Sequence, residues 1–440
     1  MNVGLLGIQF GWGLQNAYMS AIYEKLGATP SLIPLLWLAA PMTAMLAHPA
    51  VGLMSDRTWT RIGRRRPFLL AGAIVSCAAL FLMPASPALW VAAALLWIQD
   101  LSINSTMEPF RPLIADNLRE GQRTLGFAVQ SFFIGLGAAF ANVMPYFLRL
   151  AGVTGETSAG IPLTVKYAFR FGAFFFLATS LWTVLTTTER PPADLKALRD
   201  EQKATRGVGW FREFFMLLSH MPPTMRQFAV VQFITWFGLF CVYMFFAPMT
   251  ARHVFGAGDP KSALYNQGVE WGGTCLAVYS FVSLGAAFAL PRLAAATSRK
   301  FTHAFALACG GVGLLSIYFI HDRYLLMLTM VGVGVAWSSI HAMPYVILSS
   351  VLPPSRMGAY MGMFSFFVAT PGIVASLTLR PLLKYFFSDN PLYVVMLGGA
   401  CLLLASVLMA RVYDPGEAKE TESQRGFGLK TEPLVGAEQA

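Results

Sequence analysis

Charged side chains are scarce in this chain. Only 12% of its 440 residues are Asp, Glu, Lys or Arg, whereas 56% are hydrophobic. A soluble domain carries about twice that charged fraction, and the mean hydropathy of this chain is positive. The composition therefore excludes an ordinary soluble protein and predicts a membrane protein with many spans of about 20 residues.

Cysteine and the sequence signatures of enzymes are also scarce or missing. The five cysteines lie inside apolar segments without metal-ligand spacing, so we expect neither disulfides nor a metal site. The sequence has no Walker loop, dinucleotide fingerprint, zinc-protease motif or nucleophile elbow. An ATP-driven pump or a membrane enzyme therefore has little support, and we expect no cofactor. The net charge of +10 does not call for a nucleic-acid partner, because the basic residues gather in loops near lipid head groups.

Twelve apolar segments predict an all-α membrane protein with twelve transmembrane helices in two six-helix bundles. The segments are 3–23, 31–54, 67–84, 88–110, 124–148, 167–187, 227–249, 269–290, 301–320, 324–348, 357–379 and 391–411. We predict an N-terminal bundle at 1–187, a cytoplasmic linker at 188–226, a C-terminal bundle at 227–411 and a disordered tail at 412–440.

Arginine and lysine predict the orientation. The loops after the second, fourth, sixth, eighth and tenth segments are the basic ones, which places both termini in the cytoplasm. The compact loops lead us to expect a bacterial inner membrane and a monomer. A weak internal repeat relates Pro109-Phe110 and Arg123 to Pro344-Tyr345 and Arg356. Two related halves joined by a basic linker resemble the layout of major facilitator transporters, whose substrate site lies between the halves.

Asp100 is the most informative residue, because it lies near the middle of the fourth apolar segment. A carboxylate at that depth costs about 2.5–3.5 kcal/mol even on insertion scales, and its default interpretation is functional. Asn104 follows one helical turn later and Arg111 about three turns later, on nearly the same face. This stripe predicts a proton-coupled transporter of a polar solute. The alternative is a permanent Asp100–Arg111 ion pair that only locks helices together.

The loop between the second and third helices resembles the cytoplasmic motif of the major facilitator superfamily, in which acids and arginines latch neighbouring helices. The alternative interpretation of this loop is a basic cluster that only sets the membrane topology. Glu108 and Asp116, at the inner end of the fourth helix, should pair with loop arginines and gate that side. The residues of this predicted gating motif are Gly52, Asp56, Arg57, Arg61, Gly63, Arg64, Arg65, Glu108 and Asp116.

Three motifs together narrow the resemblance to one branch of that superfamily. They are Gln9-Phe10-Gly11-Trp12-Gly13-Leu14-Gln15, the loop Ser55-Asp56-Arg57 with Arg61-Ile62-Gly63-Arg64-Arg65-Arg66-Pro67, and Asp100 with Asn104, Pro109, Arg111 and Asp116. They resemble the sucrose–proton symporters and their bacterial relatives, in the glycoside–pentoside–hexuronide branch of the superfamily. The resemblance implies that Asp100 is the protonatable coupling residue and that Arg111 is needed for transport.

The chain departs from the plant symporters in two places. Pro30 stands where they carry a histidine, and the outer end of the seventh helix, through Arg252 and His253, has no carboxylate. We therefore expect Asp100 to bear the proton coupling alone. Glu270 is a possible second acid, although we expect it at the membrane interface.

Sugar recognition needs amides for the hydroxyls and aromatic faces for the ring. The candidates are Gln9, Trp12, Gln15, Asn16, Asn104, Gln130, Gln232 and Trp236. Their alternative role is helix–helix bonding or an interfacial belt. His48 and His341 are expected to be packed, hydrogen-bonded histidines, because nothing in the sequence places an ion partner beside either.

These observations predict import of a glycoside, a disaccharide such as maltose or sucrose, together with a proton by alternating access. Two alternatives stay open. One is a sodium-coupled or uncoupled sugar carrier, and the other is a transporter-like sugar sensor.

Overall fold

The computed structural model describes residues 2–57, 59–110, 113, 120–189, 218, 221–349 and 357–413. Within these ranges the chain forms twelve helices of 17 or more residues and no β-strand. They are α1 (Val3–Lys25), α2 (Ala39–Arg57), α3 (Arg66–Leu82), α4 (Leu89–Met107), α5 (Glu120–Leu150), α6 (Leu163–Thr186), α7 (Pro223–Met249), α8 (Ala263–Ala296), α9 (Arg299–Ser316), α10 (Arg323–Ser349), α11 (Met357–Tyr385) and α12 (Pro391–Met409). The predicted linker and tail lie largely outside the described residues.

The helices are not bounded by their apolar segments. The helix α8 spans Ala263–Ala296, whereas its apolar segment covers only 269–290. An α-helix satisfies its own backbone hydrogen bonds, so it can continue past the hydrocarbon layer at no cost. Conversely, α2 begins later than predicted, after a single helical turn at Ile33–Leu36. Pro41 lies in the first turn of α2, where its missing N–H leaves no bond unmade.

Nine of the described helices are long and apolar enough to cross a membrane. The helices α1, α2 and α4 do not reach this threshold. These three helices carry buried or half-buried polar side chains, among them Gln15, His48 and Asp100. The count of twelve membrane spans therefore stays a prediction. The three helices below the threshold are ones that carry polar residues.

The same packing pattern occurs twice. In the first half α1 packs against α5 and α6, α3 against α4 and α6, and α2 against α4. In the second half α7 packs against α11 and α12, α9 against α10 and α12, and α8 against α10. Each pairing recurs six helices later, which is the relation expected of two parallel structural repeats.

The contacts between the halves follow the same symmetry. The helix α2 packs against α11, α5 packs against α8, and α1 packs against α7 between these two pairs. The helix α1 also contacts α4 in its own half and α8 in the other half. The helix α1 therefore lies at the centre of the molecule, and from this position it can present polar groups to both halves.

Candidate functional site

Asp100 is buried in the middle of α4, with only 1% of its surface exposed. Gln15 of α1, equally buried, donates a hydrogen bond from Nε2 to Asp100 Oδ1 at 2.7 Å. In the part of the chain that the structure describes, Asp100 Oδ2 and Gln15 Oε1 have no hydrogen-bond partner. The sequence-predicted acid and amide therefore meet, and one oxygen of each stays available.

This arrangement suits reversible protonation. A buried carboxylate that accepts a single amide hydrogen bond is poorly compensated when it is ionised. When it is protonated, the acid becomes a hydrogen-bond donor through the oxygen that has no other partner. Asp100 can therefore present either a donor or an acceptor to a bound hydroxyl, depending on its protonation state.

A ladder of polar groups continues from Asp100 along α4. Asn104 Nδ2 donates to the backbone oxygen of Asp100 at 2.8 Å and to Thr43 Oγ1 of α2 at 3.3 Å. His48 of α2 lies between Asn104 and Glu108, with its Nε2 3.1 Å from Asn104 Oδ1 and its Nδ1 2.8 Å from Glu108 Oε2. The three α4 residues are spaced four apart, so they share the face that packs against α2.

His48 is hydrogen-bonded as expected, but it also has an ion partner that the sequence did not indicate. Glu108 lies within ion-pair distance of the imidazole. The sequence reasoning missed this pair because the partners are 60 positions apart and meet only through the packing of α2 on α4. Glu108 was expected to pair with loop arginines, and His48 is a partner that this expectation did not include.

Arg111 and Asp116 lie outside the described residues. The side chains of Asp56 and Arg57 also lie outside them. The proposed roles of these four residues, and the alternative of an Asp100–Arg111 lock, stay predictions.

The second half supplies an aromatic cluster. The ring of Trp236 on α7 lies 6.0 Å from Trp337 and 5.9 Å from His341, both on α10, measured between centroids. Tyr279 of α8 also packs edge-on to Trp337 at 5.8 Å. The indole Nε1 of Trp236 is buried and has no hydrogen-bond partner within the described ranges. The sequence analysis named Trp236 but missed Trp337 and Tyr279, because an isolated aromatic residue in an apolar helix gives no distinguishing signal.

The remaining sugar-contact candidates are less closely connected. Gln9, Gln130 and Gln232 are buried, whereas Trp12 and Asn16 are half-buried. Among the described residues, the side chains of these glutamines and of Asn16 form no hydrogen bond with Asp100, Gln15 or Asn104. Gln232 lies one helical turn before Trp236, and its Oε1 is buried without a partner in the described structure. Their membership of a sugar site stays a prediction.

The arginine loop holds a glutamate through its backbone. Gly63 adopts a φ of +120°, which closes the tight turn with Thr60. The next three backbone N–H groups, of Arg64, Arg65 and Arg66, donate to the carboxylate of Glu189 at distances between 2.9 and 3.2 Å. Since α3 begins at Arg66, the carboxylate lies at a helix amino terminus, where the helix dipole favours negative charge. Glu189 follows α6, so this contact ties the loop to α6, and the sequence analysis did not anticipate it.

Ion pairs between buried carboxylates and half-buried arginines join the halves at the end opposite to this loop. Arg149 of α5 pairs with Glu270 of α8, and the Thr164 hydroxyl of α6 donates to the same glutamate at 2.5 Å. Glu270 is only 2% exposed. Glu270 is therefore enclosed where α5, α6 and α8 meet, and the expectation that it lies at the membrane interface stays a prediction.

A second bridge lies at the same end. Glu24 of α1 accepts hydrogen bonds from the Arg252 guanidinium at 3.1 Å and from the Tyr265 hydroxyl of α8. The helix α1 thus supplies a carboxylate beside the carboxyl end of α7. We term Arg149, Glu270, Glu24 and Arg252 the opposite-end bridges, and the end that carries Arg61 and Arg64 to Arg66 the arginine-rich end.

Together these features define a class of protein. Two related bundles of apolar helices pack together, and the first contains a buried acid with an open hydrogen-bonding valence, as expected for a membrane transporter. Within the described ranges no three His, Cys, Asp or Glu side chains come together as a metal site requires.

Comparison with known proteins agrees with this class. Residues 1–376 match the model of the Major Facilitator Superfamily. The chain belongs to that family, and it is an integral membrane transporter and not an enzyme.

Two curated relatives transport sugars by name. The chain is 25% identical to the sucrose transport protein SUT5 of Oryza sativa subsp. indica, over 91% of this chain and 84% of that protein. It is 24% identical to the general alpha-glucoside permease of Schizosaccharomyces pombe, over 67% of this chain and 55% of that protein.

Solved structures share the fold. The nucleoside transporter NupG aligns with a TM-score of 0.68 at 14% identity, over 94% of this chain and 99% of that chain. A D-xylose-proton symporter aligns with a TM-score of 0.66 at 15% identity, over 93% and 96% of the two chains. At these identities the likeness concerns the fold alone.

Proposed function

We propose that this transporter is a proton-coupled symporter that imports a disaccharide such as sucrose or maltose. The observation that carries the proposal is the buried Asp100, bonded to Gln15 through one oxygen and unpartnered at the other. The similarity to a sucrose transport protein and to an alpha-glucoside permease supports a glycoside as the substrate.

The proposed mechanism follows from the two protonation states of Asp100. In the protonated state the acid donates a hydrogen bond to a sugar hydroxyl, and the sugar binds between the halves. In the ionised state that donor is lost, so the sugar is bound less well and is released. Rocking of the two halves exposes the site to each side in turn, and because proton and sugar bind the same conformations, the gradient of one drives the other.

The sugar contacts are proposals that rest on their positions. Gln15 and Asn104 surround Asp100, so we assign them to the hydroxyl contacts. Trp236 in the aromatic cluster offers an apolar face for a sugar ring. We assign Gln232, one turn from Trp236, to the same side of the site, and keep Gln9, Trp12, Asn16 and Gln130 as further candidates.

The setting in the cell is also proposed. The arginine-rich end faces the cytoplasm of a bacterial inner membrane, with both termini on that side, because basic loops are retained there. We retain the domain boundaries 1–187, 188–226, 227–411 and 412–440, and a monomeric state.

Uptake of labelled sucrose and maltose into proteoliposomes tests the proposal. Wild type and Asp100→Asn are compared with and without an acidic exterior. We expect gradient-driven accumulation by the wild type and its loss in Asp100→Asn, whereas exchange of labelled for unlabelled sugar persists. Equal accumulation by both proteins would make Asp100 structural.

The same experiment separates the alternatives. Accumulation that follows a sodium gradient and ignores the proton gradient would indicate sodium coupling. Equilibration without accumulation would indicate an uncoupled carrier. Specific sugar binding without any flux would indicate a sensor.

A further inference from the structure

His48 lies between two acceptor-bearing side chains of α4. Its two ring nitrogens face oxygens of Asn104 and Glu108, which are four residues apart on one helix face. The His48 and Glu108 side chains are 34% and 26% exposed, so the pair is reachable while Asp100 is not. The number of protons held by this pair can be derived from its hydrogen bonds.

The hydrogen bond between Asn104 and the backbone of Asp100 fixes the orientation of the Asn104 amide. The backbone oxygen of Asp100 can only accept a hydrogen bond, so the Asn104 atom 2.8 Å from it must be the NH2 group. The amide oxygen therefore faces His48, and it can only accept. Because that oxygen is 3.1 Å from His48 Nε2, the imidazole must carry a proton on Nε2.

The other ring nitrogen of His48, Nδ1, faces Glu108. His48 Nδ1 and Glu108 Oε2 are 2.8 Å apart, a distance that requires a hydrogen between them. That hydrogen is additional to the one on Nε2. The pair is therefore either an imidazolium beside a carboxylate or a neutral imidazole beside a carboxylic acid, and both forms hold one proton more than neutral histidine with ionised glutamate.

We propose that His48 and Glu108 form a second proton-binding site, which receives the proton that leaves Asp100 and releases it at the arginine-rich end. The site lies two helical turns from Asp100, about 12 Å along α4 at 1.5 Å per residue. This inference rests on the proposed proton symport. Asp100 gives up H⁺ and becomes a carboxylate, the pair binds that H⁺, and bulk solvent at the arginine-rich end finally accepts it.

Release of the proton has a structural consequence. Without the shared hydrogen, the lone pair of Nδ1 faces a negatively charged oxygen, and their attraction becomes repulsion. The contact between α2 and α4 is then weakened at the arginine-rich end. Binding of the proton by His48 and Glu108 therefore favours the packing of α2 on α4 seen here. Loss of that proton favours separation of the two helices.

The elements around the pair carry charged groups of both signs. Asp100 lies on α4, and Glu108 directly follows it. Of the helices that pack against α4, α3 begins with Arg66 and α1 ends with Glu24 and Lys25. The helix α11 also packs against α2. Its titratable residues are Arg380, Lys384 and Tyr385 at its carboxyl end and Tyr360 near its amino end, whose side chain lies outside the described residues. Glu108 Oε2, 2.8 Å from Nδ1, is the group that shares the proton with the imidazole.

The test uses His48→Gln and Glu108→Gln in the full chain reconstituted in proteoliposomes. The glutamine at 108 retains a donor toward Nδ1 and so mimics a permanently loaded site, whereas the glutamine at 48 removes the imidazole ring. His321→Gln is the matched control, because His321 is an exposed histidine of the second half whose ring packs on His253, beside the opposite-end bridges. Accumulation of labelled sucrose and maltose under an acidic exterior is measured beside exchange of labelled for unlabelled sugar, across a series of pH values.

We expect both variants to lose accumulation by about tenfold, which corresponds to about 1.4 kcal/mol of coupling, while exchange persists and becomes less dependent on pH. Accumulation and pH profile like those of the control would overturn the proposal. Loss of exchange together with accumulation would also overturn it, since the pair would then be structural. Failure of the wild type itself to accumulate either sugar would instead refute the symport on which the proposal rests.

Discussion

Gln15 of α1 donates its side-chain amide to the carboxylate of Asp100 on α4 at 2.7 Å, across 85 positions of sequence. A hydrogen bond to a charged group contributes about 1.5–3 kcal/mol. We expect Gln15→Leu to lower the initial rate of sugar uptake by about tenfold or more, because the carboxylate loses its hydrogen-bond donor.

The measurement is uptake of labelled sucrose and maltose at matched protein levels. Gln99→Leu is the control, because Gln99 is fully buried on α4 and, in the described structure, makes no hydrogen bond to Asp100. An equal loss in both variants would mean that any buried amide of α4 or α1 matters, and that the Gln15–Asp100 bond has no special role.

The ion pair between Arg149 and Glu270 is expected to stabilise the contact between the halves. Removing one partner leaves a charge without compensation, and about a third of the Arg149 side chain is exposed. We therefore expect Arg149→Gln or Glu270→Gln to cost about 2–3 kcal/mol, below the cost for a fully buried pair. Thermal unfolding of the purified protein in detergent measures this cost.

The double variant supplies the control for that prediction. If the two side chains interact, the double variant loses less stability than the sum of the single losses. Additive losses would show that each residue acts through other neighbours.

Gly273 permits a close crossing of three helices. A Cβ at this position of α8 would lie 2.0 Å from Tyr18 Oη and 2.6 Å from the backbone oxygen of Asn142. The Tyr18 hydroxyl donates to that same oxygen at 2.6 Å, so α1, α5 and α8 meet here. We expect Gly273→Ala to destabilise the protein by about 1–3 kcal/mol through overpacking.

Gly285→Ala on the same helix is the matched control. No atom lies within 4 Å of a Cβ at Gly285, so its substitution should leave stability unchanged or raise it by up to about 1 kcal/mol through helix propensity. Thermal unfolding measures the stability of both variants. A Gly273→Ala protein as stable as the control would contradict the close crossing.

The aromatic cluster makes a prediction about affinity. We expect Trp236→Ala to raise the KM for sugar uptake by about tenfold, whereas Trp236→Phe raises it less, because a phenyl ring keeps an apolar face. Trp182→Ala on α6 is the control, since 59% of Trp182 is exposed and it lies in the first half. A KM that is the same in Trp236→Ala and the control would remove Trp236 from the sugar site.

The sequence predicted the elements of the fold well because they depend on local properties. An apolar segment of about 20 residues must satisfy its backbone within itself in a membrane, so length and composition are enough to predict a helix. The same reasoning identified Asp100, since the cost of a charge at membrane depth depends only on its position in its own segment. The ends of α2 and α8 were less well predicted, because nothing requires a helix to end where the hydrocarbon ends.

The partners of the polar side chains were predicted less well. Gln15 was named as a sugar-contact candidate and is bonded to the acid, but the sequence indicated neither the ion partner of His48 nor that of Glu270. Glu189 was overlooked because its partners are backbone N–H groups, which every loop contains.

The sequence by itself determined that this chain is helical and membrane-embedded, and it singled out Asp100 in the middle of its fourth apolar segment. Only the tertiary structure decided which groups meet: Gln15 with Asp100, and Glu24 with Arg252 across 228 positions. The physical reason is that a helix forms from its own residues, whereas the partner of a side chain depends on how each helix is rotated and packed against the others.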